Sequence, residues 1–171
     1  MAKYPLILAG MTATAALLDA TLPDVATKTA TESITSSTTM QDDDELFVHV
    51  AANATYIVDM LLIHASATAA DIRVGWTVPA GASFNWAGQG ATNTTSTSSF
   101  VVPDTNMAGR IASETLVFGG GASSATRADL SGSLITAGTA GTLQFQWAQN
   151  ASDATATQVR LGSWLSVRRV A

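Results

Sequence analysis

The chain has 171 residues, the length of a single domain, and 47 % of them are hydrophobic, which is enough for a sizeable core. Charged residues make up only 12 %, the formal net charge is −5, and cysteine is absent. These values exclude disulfides and cysteine-based metal sites, and they argue against nucleic acid as a partner, because such binding needs clustered lysine and arginine. So few charges suit a surface that is partly covered by other copies or other proteins, and the alternative is a secreted or simply threonine-rich β domain.

The first 26 residues predict an arm with one short helix. YPLILAG has the pattern of an extended apolar segment, and TATAALLDA has a helix N-cap in Thr12 or Thr14, followed by apolar residues at helical spacing. Pro23 ends any helix, and the apolar run is too short to span a membrane. The side chains that we expect to dock on a partner are Tyr4, Leu6, Ile7, Leu8, Leu17 and Leu18. The alternative is an arm that folds back over its own core.

From residue 27 onwards, short alternating runs predict β-strands separated by turns. The first predictions are an exposed or edge strand in TKTATESITSSTTM, an acidic turn in QDDDE, a strand in ELFVHVA and a central strand in ATYIVDMLLIHA. The next are strands in DIRVGWTV, PAGASFNWAGQG, SFVV, SETLVFG and TRADLSGSLITAG, with polar loops at 88 to 99 and 119 to 124. Residues 141 to 171 hold two alternating runs joined by a small polar loop, which predicts a closing hairpin.

Eight to ten short strands with almost no helix predict an all-β fold. We expect an antiparallel β-sandwich of jelly-roll type over residues 27 to 171, preceded by the arm over residues 1 to 26.

The chain lacks the residue patterns of common catalytic and metal sites. His49 and His64 lie in predicted strands, with no further ligand at metal-binding spacing. Asp59 lies in an otherwise apolar strand. A carboxylate that is partnered or faces outward is a simpler interpretation of this residue than a catalytic carboxylate. The acidic run at 42 to 45 offers oxygen ligands for calcium but lacks the alternate spacing of a calcium loop, so a solvated turn is the other interpretation. We therefore expect no enzyme, no metal and no cofactor.

Four tryptophans, at positions 76, 86, 147 and 164, are the most informative apolar residues. Trp147 shares a strand face with Leu143 and Phe145, which predicts a core position. The alternation predicts that Trp164 lies on the opposite face from Leu161 and Leu165, and Trp164 is our candidate for a subunit interface, with a core position and ligand stacking as alternatives.

Two stretches at the ends of the chain carry a distinctive pattern. The first covers residues 9 to 65 and runs from AGMTATAALLDATLPDVATKTATESITSSTTMQDDDEL to the strand VHVAANATYIVDMLL. The second covers residues 136 to 171 and contains WAQN, ATAT and GSWL in that order. Together they resemble small virion proteins of actinobacterial tailed phages, a group of head decoration, head fibre and minor tail proteins. The resemblance implies a trimeric β-sandwich on the virion surface without catalytic residues.

Two functions are compatible with these observations. In the first, the protein is a non-enzymatic capsid decoration (cement) protein, made in the host cytoplasm and bound as a trimer to the major capsid protein on the outer surface of the virion through its arm. In the second, it is a tail-fibre tip or adhesin that binds a host surface glycan. The ligand loops would then be residues 82 to 108 and 119 to 126, with Trp86 and Asn93 as ligand residues.

Overall fold

The fold is an antiparallel β-sandwich, seen in a computed structural model that describes residues 9–91, 109–121 and 125–171. Its single helix in these ranges is α1 (Ala15–Asp19). The strands are β1 (Asp24–Thr27), β2 (Glu32–Ile34), β3 (Gln41–Val50), β4 (Thr55–Ala65), β5 (Ile72–Thr77), β6 (Ser83–Gly90), β7 (Arg110–Ile111), β8 (Leu116–Phe118), β9 (Thr126–Ile135), β10 (Gly141–Gln149), β11 (Thr157–Val159) and β12 (Trp164–Arg169).

Two sheets form the layers of the sandwich. The larger has the strand order β1-β12-β4-β9-β6-β7, with β11 beside β4 and β2 beside β11, and the smaller has the order β3-β10-β5-β8. This confirms the predicted all-β sandwich, while the jelly-roll type within that class stays a prediction. The predicted central strand is also confirmed, since β4 is paired over most of its length with β12 on one side and β9 on the other.

A cluster of aromatic rings joins the two sheets. The ring of Trp76 in β5 lies 5.2 Å from that of Phe145 in β10, 5.5 Å from that of Phe84 and 6.4 Å from that of Trp86, both in β6. All three contacts are edge-on, the arrangement that aromatic rings prefer. Trp147 is fully buried, so its predicted core position is confirmed.

The predicted closing hairpin is wrong, although both of its strands exist. β10 pairs with β3 and β5 in the smaller sheet, whereas β12 pairs with β1 and β4 in the larger one. Between β10 and β12 the chain therefore crosses from the smaller sheet to the larger one. Alternation shows which face of a strand is buried, but it does not distinguish a partner in the same sheet from one across the core.

The predicted acidic turn is also wrong, because residues 41 to 45 begin the ten-residue strand β3. The sequence predicts a turn with only a short strand in PAGASFNWAGQG, but β6 has eight residues and continues into the polar loop predicted from residue 88, as far as Gly90. The remainder of the polar loop, the strand predicted in SFVV and part of the glycine-rich loop lie outside the described residues.

His64 lies in β4 and is completely buried, with its ring 6.2 Å from that of Phe118. Neither ring nitrogen has a hydrogen-bond partner. Burial disfavours the charged imidazolium and lowers the pKa of His64 from 6.5 to about 4. The side chain therefore acts as a neutral core residue.

Gly132 in β9 leaves the space that the ring of Phe84 occupies. A Cβ atom there would lie 2.6 Å from Cε2 of Phe84 and 2.8 Å from the backbone oxygen of Asn85. We expect Gly132→Ala to lower the free energy of unfolding by about 2 kcal/mol, as for other overpacked cores. Urea denaturation measures it, with Ser133→Ala on the exposed face of the same strand as the control. Equal stability of the two variants would contradict this packing.

The buried, neutral state of His64 predicts a pH-dependent stability. Since its folded pKa lies below its unfolded pKa, the unfolded chain binds the proton first, and stability is lost as the pH falls from about 6.5 towards about 4. The loss reaches about 3 kcal/mol at the lower end. Urea denaturation of the protein and of His64→Leu at pH 7 and pH 4.5 isolates this residue, because other groups titrate equally in both. An unchanged stability difference between the two proteins would refute the prediction.

Candidate functional site

The described part of the N-terminal arm forms α1 but makes little contact with the sandwich. Thr14 is the N-cap predicted as one of two candidates, and its hydroxyl accepts a hydrogen bond of 3.2 Å from the backbone N–H of Leu17. None of the helix residues is buried. Leu18 is 58 % exposed and Leu22, which follows the helix, is 64 % exposed.

The arm joins the sandwich at β1, which pairs with β12 from Asp24 onwards. Val25 in β1 is again exposed. We call residues 9 to 23 the N-terminal segment. Within it, no side chain is fully buried: Leu17 is half-buried and Leu18 is exposed. Tyr4, Leu6, Ile7 and Leu8 lie outside the described residues.

The outer face of the larger sheet carries a groove of about 410 Å³, within the usual size range of ligand sites. We call it the Trp164 groove. Its lining residues come from four neighbouring strands: Asp59, Met60, Ala87, Gly88, Gln89, Arg127, Asp129, Leu130, Ser131, Trp164 and Ser166.

The register of the sheet explains how the groove forms. Ser166, Asp59, Ser131 and Ala87 form one row of directly opposed residues across β12, β4, β9 and β6. Three of these four side chains are small, so the row forms a depression in the sheet surface. The neighbouring row carries Trp164 at one end and Asp129 and Gln89 at the other, and these larger groups form a wall.

Charge in the groove is partly neutralised. Arg127 and Asp129 form an ion pair of 2.8 Å on the surface, with their side chains 69 % and 55 % exposed. Such a pair contributes about 0–1 kcal/mol to stability, so it constrains the two side chains only weakly. Asp59 is exposed on the same face and forms no ion pair within the described residues.

Trp164 is the one tryptophan that is not part of the core. Trp76, Trp86 and Trp147 are 5 %, 2 % and 0 % exposed, whereas Trp164 is partly exposed in the groove. The proposed ligand role of Trp86 is therefore wrong: its ring is in the core, and its Nε1–H donates a 3.1 Å hydrogen bond to the backbone oxygen of Ile111. The alternation in β6 turns Trp86 inward, towards Trp76. Asn93 lies outside the described residues.

Two residues of the acidic run, Asp43 and Glu45, belong to an ion cluster around Lys28, whereas Asp42 and Asp44 are exposed. The Nζ atom of Lys28 donates hydrogen bonds of 2.8 Å to Asp43 and 2.7 Å to Glu32, and Lys28 is 3 % exposed. Burial favours a lower pKa for Lys28, but the hydrogen bonds and charges of Asp43 and Glu32 outweigh it, so its pKa is raised. The carboxylate of Glu45 accepts hydrogen bonds from Thr29, which lower its pKa. Lys28 thus supplies the positive charge that the carboxylates of Asp43 and Glu32 bind directly.

Within residues 9–91, 109–121 and 125–171, no three histidine, aspartate or glutamate side chains come together in a way that could hold a metal ion. His49 is exposed in β3, where its Nδ1 atom lies 3.0 Å from the hydroxyl of Thr142, while His64 is in the core. None of the helical residues in the same ranges forms an apolar helix long enough to cross a bilayer.

Sequence reasoning missed the groove, although it identified Trp164. The feature of the sequence that indicates a depression is the run of small residues Ser131, Gly132 and Ser133 in an otherwise regular strand. Their register against β4 and β6 comes only from the folded sheet.

Comparison of the chain with protein-family models, with curated proteins and with solved structures finds no match. The assignment of a function therefore depends on the geometry of the chain itself and on the resemblance of its two ends.

Proposed function

We propose that the protein is a non-enzymatic structural component of a phage virion: a capsid decoration protein that binds the outer surface of the shell as a trimer. The sandwich supplies the surface-exposed body, and the N-terminal segment supplies attachment to the major capsid protein. The phage context comes from the resemblance at residues 9 to 65 and 136 to 171.

The observation that carries this proposal is the exposure of the N-terminal segment. A segment that folded back over its own domain would bury its leucines, whereas Leu18 and Leu22 are exposed and Leu17 is only half-buried. Single exposed leucines are common on protein surfaces, but here two lie four residues apart in a segment outside the core. Apolar side chains of such a segment can be buried in a groove of a partner.

The composition of the chain supports the same proposal. A protein with only 12 % charged residues has few groups that keep its surface hydrated. Fixing the domain on a shell, with neighbouring copies around it, would cover part of this surface. The same contacts would also protect the sheet edges at β7 and β8 from unwanted strand pairing.

Removal of the exposed leucines tests the attachment. We expect the double variant Leu18→Ser, Leu22→Ser to remain folded, because neither side chain contributes to the core, and to bind shells about tenfold or more weakly, because burial of each leucine contributes about 1.5 kcal/mol or more. Co-sedimentation with shells that lack the protein measures the affinity.

Leu161→Ser is the matched control. Leu161 is 61 % exposed in the turn before β12, outside the N-terminal segment, and its variant should bind like the unchanged protein. Circular dichroism and light scattering would confirm that all proteins are folded and have the same oligomeric state. Undiminished binding of the double variant would contradict attachment through the N-terminal segment.

Immunogold electron microscopy of purified virions tests the location. An antibody raised against the folded protein should label the head, at many positions over the shell. Labelling confined to the tail end would contradict a decoration role and favour the adhesin, and a mass-spectrometric inventory without this chain would contradict any virion role.

A further inference from the structure

The Trp164 groove combines an aromatic surface with polar groups that the chain does not use itself. In the part of the chain that the structure describes, the side chains of Asp59, Gln89, Ser131 and Ser166 make no hydrogen bond with other protein groups. The solvent face of an antiparallel sheet is ordinarily polar, and here four such side chains surround one depression. They can offer both donors and acceptors to a molecule that lies in the groove.

Trp164 supplies the apolar part of this surface. Its indole stands at the end of the row formed with Leu61, Asp129 and Gln89, beside the floor of small residues. An aromatic ring that is partly exposed beside a depression provides a flat face for packing. The molecules that match a flat aromatic face next to carboxylate, amide and hydroxyl groups are saccharides, since a sugar ring has C–H groups on its faces and hydroxyl groups around its edge.

The charges select among saccharides. Among the lining residues, Arg127 is paired with Asp129, and Asp59 is left as one carboxylate in excess of the cations. Arg168 is exposed on the same face, two residues beyond Ser166, but it does not line the groove. The excess carboxylate disfavours an acidic sugar, whereas a neutral sugar can donate hydroxyl hydrogen bonds to Asp59, a strong acceptor. The groove crosses three strand intervals, from β12 to β6, a span of about 14 Å. This is longer than a single sugar ring.

We propose that the Trp164 groove binds a neutral oligosaccharide, with one sugar ring stacked on the indole of Trp164 and the hydroxyl groups bound by Asp59 and Gln89. This site does not depend on attachment of the N-terminal segment, so it holds for the protein on a virion or free in solution.

Titration with defined trisaccharides tests the proposal. The probes are maltotriose, cellotriose, mannotriose and chitotriose as neutral ligands and trigalacturonic acid as the acidic one, and isothermal calorimetry measures binding. Trp164 also gives a local readout: because the other three tryptophans are buried, acrylamide quenches mainly Trp164. We expect at least one neutral trisaccharide to bind and to reduce this quenching.

Two variants in the groove and one outside it locate the site. Trp164→Ala and Asp59→Asn should each weaken binding about tenfold or more, since they remove the stacking surface and the charged acceptor. Asp44→Asn makes the same charge change on an exposed residue of β3 in the other sheet and should leave the affinity within about twofold. Asp59 is exposed, so its variant is expected to fold even if Trp164→Ala does not.

Three results would overturn the proposal. The first is that none of the neutral trisaccharides binds, or that trigalacturonic acid binds best. The second is binding that Asp59→Asn and Trp164→Ala leave unchanged. The third is dissociation of the oligomer by Trp164→Ala, measured by light scattering, because Trp164 would then be the subunit contact predicted from the sequence. None of these results bears on shell binding, so the two proposals fail separately.

Discussion

Contact between the two sheets through the ring of Trp76 is the interaction on which the rest of the structure depends. This ring, in the smaller sheet, contacts Phe145 beside it and Phe84 and Trp86 across the core. Since successive residues of a strand point to opposite faces, fixing the inward residues also determines the outward ones. With Phe84 and Trp86 inward, β6 must present Ala87 and Gln89 outward, and the same rule in β9 and β12 places Ser131 and Trp164 on the outer face. The groove is therefore a consequence of how the core is packed.

A second constraint acts where the two sheets meet at β1 and β3. Lys28 follows β1 in the larger sheet, and Asp43 lies in β3 of the smaller one, so their 2.8 Å contact joins the layers. Burying charges is costly, and the hydrogen bonds from Lys28 to Asp43 and Glu32 together offset that cost. Removal of one partner would leave a buried charge without compensation. Asp43 also accepts hydrogen bonds from the backbone N–H groups of Glu45 and Leu46. The cluster thus anchors the chain just after the point where the N-terminal segment leaves the sandwich.

These two features divide the molecule into parts with different roles. The core and the ion cluster hold the sandwich together without the N-terminal segment, so that segment is available for a partner. The outer face of the larger sheet is likewise not needed for the core, and its groove holds side chains, such as Asp59 and Gln89, that bind no other side chain among the described residues. The attachment and the ligand binding that we propose would then reside in one small domain, on surfaces outside its core. Such a separation is common, since functional sites are added to folds that do not themselves specify a function.

The sequence by itself determined the fold class and the faces of individual strands, because alternation and turn residues are local properties. It placed Trp147 in the core, placed Trp164 on the opposite face from Leu165, and restricted the helix N-cap to two threonines, one of which is Thr14. Only the tertiary structure decided which strands are neighbours, because pairing depends on residues far apart in the chain. That is why β10 and β12 lie in different sheets, why Trp86 is buried, and why Asp43 of the acidic run pairs with Lys28. The groove depends on the same information, since it needs Ser166, Asp59, Ser131 and Ala87 in register on four strands that no local pattern brings together.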